Sequence, residues 1–313
     1  MMIKKLGITV ALAAVLLAVL AIPSFAAKPN TYDQQLLQIR YDAVDARVGF
    51  TTGVLTDVAS LVPQASDLNS HISQLNGDLA TLNTYVQNGD PSGFTSYVSG
   101  TIDPDLRSAH SALAADRLQF HAWNVSKDTR DQLKTDYQNR LAAFQSQMNS
   151  ITLERGNLRL SWYNDAITSF DGRMTNLSAK GVDVSAMQSI RADAQASVIV
   201  PLQAAVTAGD VNATKDQLKG TALGNGAPYS YHFWAKMDLA GENALLGKIA
   251  DNATQAGHGD QVATVSSQLS TVSSTLTTVG TSPYTIPQKN TIWDNLKSAA
   301  QGIRTIIKEL GGV

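Results

Sequence analysis

DLNSHISQLNGDLATLNTYVQNGD, residues 67 to 90, carries its apolar side chains at Leu68, Ile72, Leu75, Leu79, Leu82 and Val86. The steps between them are 4, 3, 4, 3 and 4, the alternation that keeps one line of a helix turned toward a partner helix. A strand would need a step of two, and no such run competes. The pattern returns near the other end in DQVATVSSQLSTVSSTLTTVG, which starts at Asp260. There Val262, Val265, Leu269, Val272, Leu276 and Val279 are spaced 3, 4, 3, 4 and 3. A looser copy lies between Asp183 and Asp210, with Val184, Met187, Ala194, Val198, Leu202 and Val206 on its line. The spacing predicts an all-α fold: tandem long helical hairpins, or three-helix units, joined by heptad-like seams into an elongated bundle with coiled-coil character.

Turn chemistry divides the chain into three such units. In residues 27–123, a helix from Thr31 to Val62 carries Leu37, Tyr41, Val44, Val48, Leu55, Val58 and Val62, with Thr51 in one apolar slot. Pro63 closes it, and Ser66 or Asp67 is the expected cap of the next helix. Asn88-Gly89-Asp90-Pro91 reads as glycine past one helix, then a cap, then proline in the first turn of another. Asp103-Pro104 repeats the cap and proline. Residues 124–226 open with the proline-free stretch Asp128–Ala179, with weak points at Gly156 and Gly172. Lys180-Gly181-Val182-Asp183 ends it, Pro201 predicts a kink after Val198-Ile199-Val200, and Ala208-Gly209-Asp210 repeats the earlier turn. Gly220 to Pro228 is the expected connection to residues 227–313, whose last helix carries Ile292, Trp293, Leu296, Ile303, Ile306, Ile307 and Leu310.

The first 26 residues have a different grammar. Lys4 and Lys5 precede an apolar run, Leu6–Ile22, and Pro23 ends it before Ser24-Phe25-Ala26. This is the layout of a secretory signal peptide cleaved after Ala26; the alternative is an uncleaved anchor. The expected location is secreted, at a cell surface or in a periplasm-like space, with no membrane span in the mature chain. Losing Lys4 and Lys5 takes the formal net charge from −2 to −4. So weak a charge supplies no field for nucleic acid. There is no cysteine, so stability must come from core or assembly rather than from disulfides.

The acidic residues are skewed. Only Glu154, Glu242 and Glu309 are glutamates, against 26 acidic residues in all. Aspartate favours caps over helix interiors, so exposed helix positions are left to Ser, Thr, Gln, Asn and Ala. Uncharged helix surfaces are poorly defended against lateral association. The long Asp128 helix adds to this, because its apolar side from Leu133 to Met148, Phe144 included, needs cover from the first unit or from another molecule.

Reactive chemistry is sparse. Phe120-His121-Ala122-Trp123 recurs as Tyr231-His232-Phe233-Trp234, which reads as aromatic packing at junctions rather than as paired metal ligands. His71, His110 and His258 lack a second ligand three or four residues on. Asp103-Pro104-Asp105 has no closing glutamate for calcium, and Gly224-Asn225-Gly226 follows no strand that would make it a phosphate loop. No catalytic, cofactor or metal residue is therefore assigned, and the chain is not read as an enzyme. Sequons at Asn124, Asn176, Asn212 and Asn252 are candidate glycosylation sites, making this a candidate glycoprotein.

The expected role is that of an exported helical scaffold, structural or interactive, that associates with copies of itself or with another cell-surface protein. The alternative is a soluble carrier holding an apolar ligand or a metal between helices. An extracellular hydrolase ranks last.

Overall fold

The computed structural model describes residues 30–61, 65–118, 125–220, 228–279 and 285–311. Among them every regular element is helical. The chain forms two compact units, one of residues 28–158 and one built on residues 159–313.

The first unit begins with α1 (Asn30–Ala59), α2 (Ser66–Gln87) and α3 (Pro91–Tyr97). A five-residue π-helical turn, Val98–Ile102, then leads straight into α4 (Asp103–Leu118). The apolar line of α1 is the one its spacing predicts: Leu37, Val44, Val48, Leu55 and Val58 are buried, and so is Thr51 at 3% exposure. Thr51 fits there because its hydroxyl donates to Arg47 O at 3.0 Å and lies 3.3 Å from His110 Nε2. On α2 the line leans to one side. Leu68, Leu75 and Leu82 are fully buried, whereas Ile72, Leu79 and Val86 pack at the edge of the core. The inner position between Leu75 and Leu82 belongs to Asp78, at 8% exposure.

Helix ends follow local chemistry. After α2, Gly89 takes φ 62°, where only a residue without a β-carbon sits at ease. This lets Asp90 N donate back to Tyr85 O at 2.9 Å and Gly89 N to Val86 O at 3.0 Å. Asp90 then caps α3, accepting from Ser92 N and Gly93 N. Gly209 (φ 66°) and Asp210 repeat the arrangement. At α2 itself the expected cap is corrected: Ala65 occupies the position and no side chain caps it, because Ser66 already lies in the helix.

The helix α5 (Lys127–Ser178) is unbroken for 52 residues, with no interruption at Gly156 or Gly172. Its contacts change along its length, and the division between units, at 158/159, falls where they change. Up to Leu158, α5 faces α1: Phe144 stacks on Phe50 with ring centroids 5.3 Å apart, and Ile151 joins Ile39 and Ala46. α1 thus covers part of the side of α5 for which the sequence left a second molecule open: Leu133, Leu141, Phe144 and Met148 are half-buried, and Tyr137 is 42% exposed. From Leu160 a new line takes over: Leu160, Tyr163, Ile167, Phe170, Met174 and Leu177, spaced 3, 4, 3, 4 and 3. The boundaries at 123/124 and 226/227, drawn on turn chemistry, do not coincide with this division.

The second unit continues with α6 (Ser185–Ala194), a second π turn (Gln195–Ile199), α7 (Val200–Thr207) and α8 (Val211–Gly220). It is completed by α9 (Pro228–Gln255), α10 (Gly259–Val279) and α11 (Ile286–Glu309). One core joins the end of α5 and α6 to all three of the last helices. α9 is its central member, buried at Trp234, Met237, Leu245 and Ile249. α11 opens with a reciprocal capping box between Thr285 and Gln288.

The kink expected at Pro201 takes the form of the second π turn. Proline has no N–H to donate and its ring crowds the carbonyl four residues back. The wider turn before it admits one extra residue, so Ile199 is buried in place of the expected Val198. The first π turn stands in the same relation to Pro104, with Ile102 buried.

Candidate functional site

A dense grouping of polar and aromatic side chains lies inside the second unit, where α5 runs beside α9. Arg159, 4% exposed, places its guanidinium over the rings of Trp162 and Tyr163, 5.3 and 5.6 Å from the centroids. Trp162 meets Trp234 edge-on at 5.6 Å, and Phe170 lies 4.4 Å from Trp234 and 5.7 Å from Phe233. Phe233 and Trp234 of the Tyr231–Trp234 motif therefore pack α9 onto α5. Its His232 is half-buried, and burial together with Lys236 holds the ring neutral, with its pKa drawn down to about 4. The twin motif, with His121, lies outside the described residues.

One turn further along, the contact turns ionic. Arg173 Nη1 donates to Asp238 Oδ1 at 2.7 Å, and Nη2 donates to Glu242 Oε1 at 3.1 Å. The three side chains are 9%, 12% and 4% exposed. Gly241 sits between the two acids. A β-carbon there would stand 2.7 Å from Arg173 Nη2, so glycine is what lets the guanidinium lie against the backbone of α9. Burial pushes both carboxyls up against the pull of Arg173. Glu242 reaches about 7: burial raises it most, Asp238 adds to this, and Arg173 and Arg304 oppose. Its Oε2 is enclosed and takes no hydrogen bond from a described residue.

A smaller cluster sits in the first unit beside the first π turn. Asp78 Oδ1 accepts from the Tyr97 hydroxyl at 2.9 Å, and the Asp105 carboxyl is within hydrogen-bonding reach. Burial, then Asp105, raises the Asp78 pKa against the opposing Tyr97 bond.

Two other histidines serve local contacts. His110 meets Thr51, and His258 Nδ1 lies 3.1 Å from Glu309 Oε2, joining the turn before α10 to the end of α11. Among the described residues no three His, Asp or Glu side chains come together as a metal site, and no helix is long and apolar enough to cross a membrane. Asn176, Asn212 and Asn252 are exposed, whereas Asn124 lies outside the described residues.

Sequence reasoning missed the ionic cluster. Glu242 was visible only as a rare glutamate, and Asp238 and Arg173 carried no signal that it used. The usable signal was that all three interrupt apolar lines: Arg173 lies between Phe170 and Met174, and Asp238 and Glu242 flank an inward-facing glycine. A carboxyl poised near neutrality has the acidity of a general acid or base. At 3% exposure Glu242 meets no solute, so in this conformation it serves the interior. Comparison with protein-family models, with curated proteins and with solved structures finds no match to this chain.

Proposed function

We propose that the protein is an exported helical scaffold that works through its surface, associating with copies of itself or with another cell-surface protein. The observation that carries the reading is the outer face of α10. From Val262 the helix runs VATVSSQ, LSTVSST, LTTV, a repeat of seven residues, and Asp260 is its one charged residue. Val265, Leu269, Val272, Leu276 and Val279 face the core, which leaves Ser266, Ser267, Ser270, Ser273, Ser274 and Thr277 outside. Thr264, Thr271 and Thr278, one heptad apart, turn their hydroxyls back onto carbonyls of their own helix at 2.9, 3.0 and 2.9 Å. Such a surface offers regular, weakly hydrated contacts and no like-charge repulsion. The outer side of α2 is similar, with Asn69, Ser70, Ser73, Gln74, Asn76 and Thr81 exposed.

On this reading the leader is removed after Ala26 and the protein acts outside the cell, with Asn176, Asn212 and Asn252 open to glycosylation. The Asn212 sequon adds a condition. Its Thr214 is fully buried, so a transferase must read it before α8 docks.

Light scattering tests the proposal. The wild-type protein is expected to assemble with rising concentration, and Ser267→Lys with Ser274→Lys is expected to keep it monomeric at unchanged helix content. A wild-type protein that stays monomeric throughout would overturn it.

A further inference from the structure

We propose that Glu242 is a proton-operated latch in the core of the second unit: protonated it completes the seam between α5 and α9, and ionised it loosens that seam. The basis is a charge count in an enclosed space. Arg173 alone bridges Asp238 and Glu242, so one buried positive charge faces two carboxyls. If both ionise, a negative charge is left over where water does not reach, and an uncompensated buried charge is strongly disfavoured. A proton on Glu242 removes the imbalance.

The surroundings leave few other ways to balance that charge. On α5, Asp171 is held by Arg191 of α6 at 2.9 and 3.0 Å and adds no free cation. On α10 the only ionisable residue is Asp260, at its start. α11 supplies Arg304, whose charge acts on Glu242 while its side chain stays exposed. α9 itself adds Lys236, which acts on His232. Arg304 is thus the second cation whose charge reaches Glu242, and it acts from an exposed position.

The sign follows from linkage. Burial raises the folded-state pKa from 4.5 to about 7. The stabilising effect of the proton is complete below 4.5 and is lost as pH rises through 7. Across that window the folding equilibrium constant falls up to about tenfold per pH unit on account of this one proton.

The scarcity of glutamate makes the test direct. Protein labelled with 13C at the glutamate side-chain carboxyl gives three resonances, from Glu154, Glu242 and Glu309. One is expected to titrate near pH 7 and to vanish in Glu242→Gln, with tryptophan fluorescence from Trp162 and Trp234 and hydrogen exchange in α9 changing at the same midpoint. Three resonances that titrate in the ordinary range would overturn the proposal. So would a neutral midpoint at Glu242 with fluorescence and exchange that stay flat, since that describes a buried acid and no latch. If Glu242→Gln does not fold, Asp238→Asn serves instead: lifting the neighbouring charge should move the same resonance toward the ordinary range, and an unmoved resonance would refute the shared site.

Discussion

Gly302 and Val265 meet where α11 crosses α10: a β-carbon on Gly302 would stand 2.5 Å from Val265 Cγ2. Valine is branched at the β-carbon and has little rotamer freedom in a helix, so it gives way only with the backbone. Helix propensity alone predicts that Gly302→Ala stabilises, by up to about 1 kcal/mol. The contact predicts the opposite sign, an overpacking cost of about 1–3 kcal/mol that outweighs the propensity gain. Gly247→Ala is the control, since nothing lies within 4 Å of its added carbon. Denaturant unfolding should show Gly247→Ala gaining and Gly302→Ala losing stability.

Leu75 and Ile72 separate the inner from the outer line of α2. Leu75 is fully buried, and Leu75→Ala should cost about 2–5 kcal/mol. Ile72 lies at the core's edge, and Ile72→Ala should cost less than half as much in the same assay. Equal losses would put the core-facing line back on the heptad read from the sequence.

Phe144 lies on Phe50, and this decides how a charge there behaves. Phe144→Glu should lower stability by about 1–3 kcal/mol while leaving the state of assembly unchanged. Chemical unfolding combined with light scattering checks both halves. A variant that dissociates without losing stability would make this face intermolecular.

Asp78 predicts a pH dependence. Its folded-state pKa is raised above the ordinary 3.8, so its stabilising effect is complete below that value and is lost as pH rises through the folded value. Asp78→Asn keeps an oxygen for Tyr97 and removes the proton. The difference in unfolding midpoint between wild type and Asp78→Asn should therefore move in the variant's favour as pH rises from 4 toward neutrality. A difference that stays constant with pH would show that Asp78 does not titrate differently on unfolding.

How much of this was legible in the sequence depended on whether one helix could tell its own story. The lines of α10 and α11 were readable because each faces one core throughout, and hydrophobic period encodes that directly. The second line of α5 escaped because it changes sides at Leu158 while the earlier period still has plausible members in Leu158 and Trp162. The ionic cluster escaped for a different reason. Arg173 finds its acids 65 and 69 residues away, and a charged side chain on an apolar line reads as solvent-facing until its partner is known. Asp78 was hidden in the same way, because Tyr97 and Asp105 reach it only once α3 and α4 have folded back.

The two π turns have a consequence for inheritance. Each holds one residue more than an α-helical turn, so losing a single codon there, for example that of Ser197, lets the segment heal into ordinary α-helix. The helix beyond the lesion keeps its facing, and Leu202 and Ala205 stay in the core they now fill. The same loss at Gln188, inside α6, has no surplus residue to absorb it. Everything downstream would then turn by about 100°, one residue's share of an α-helical turn. What the healed segment loses is room for Pro201, whose ring would again meet the carbonyl four residues back. A chain that sheds the extra residue is thus under pressure to shed its proline next, and the reverse order of events would have created the turn.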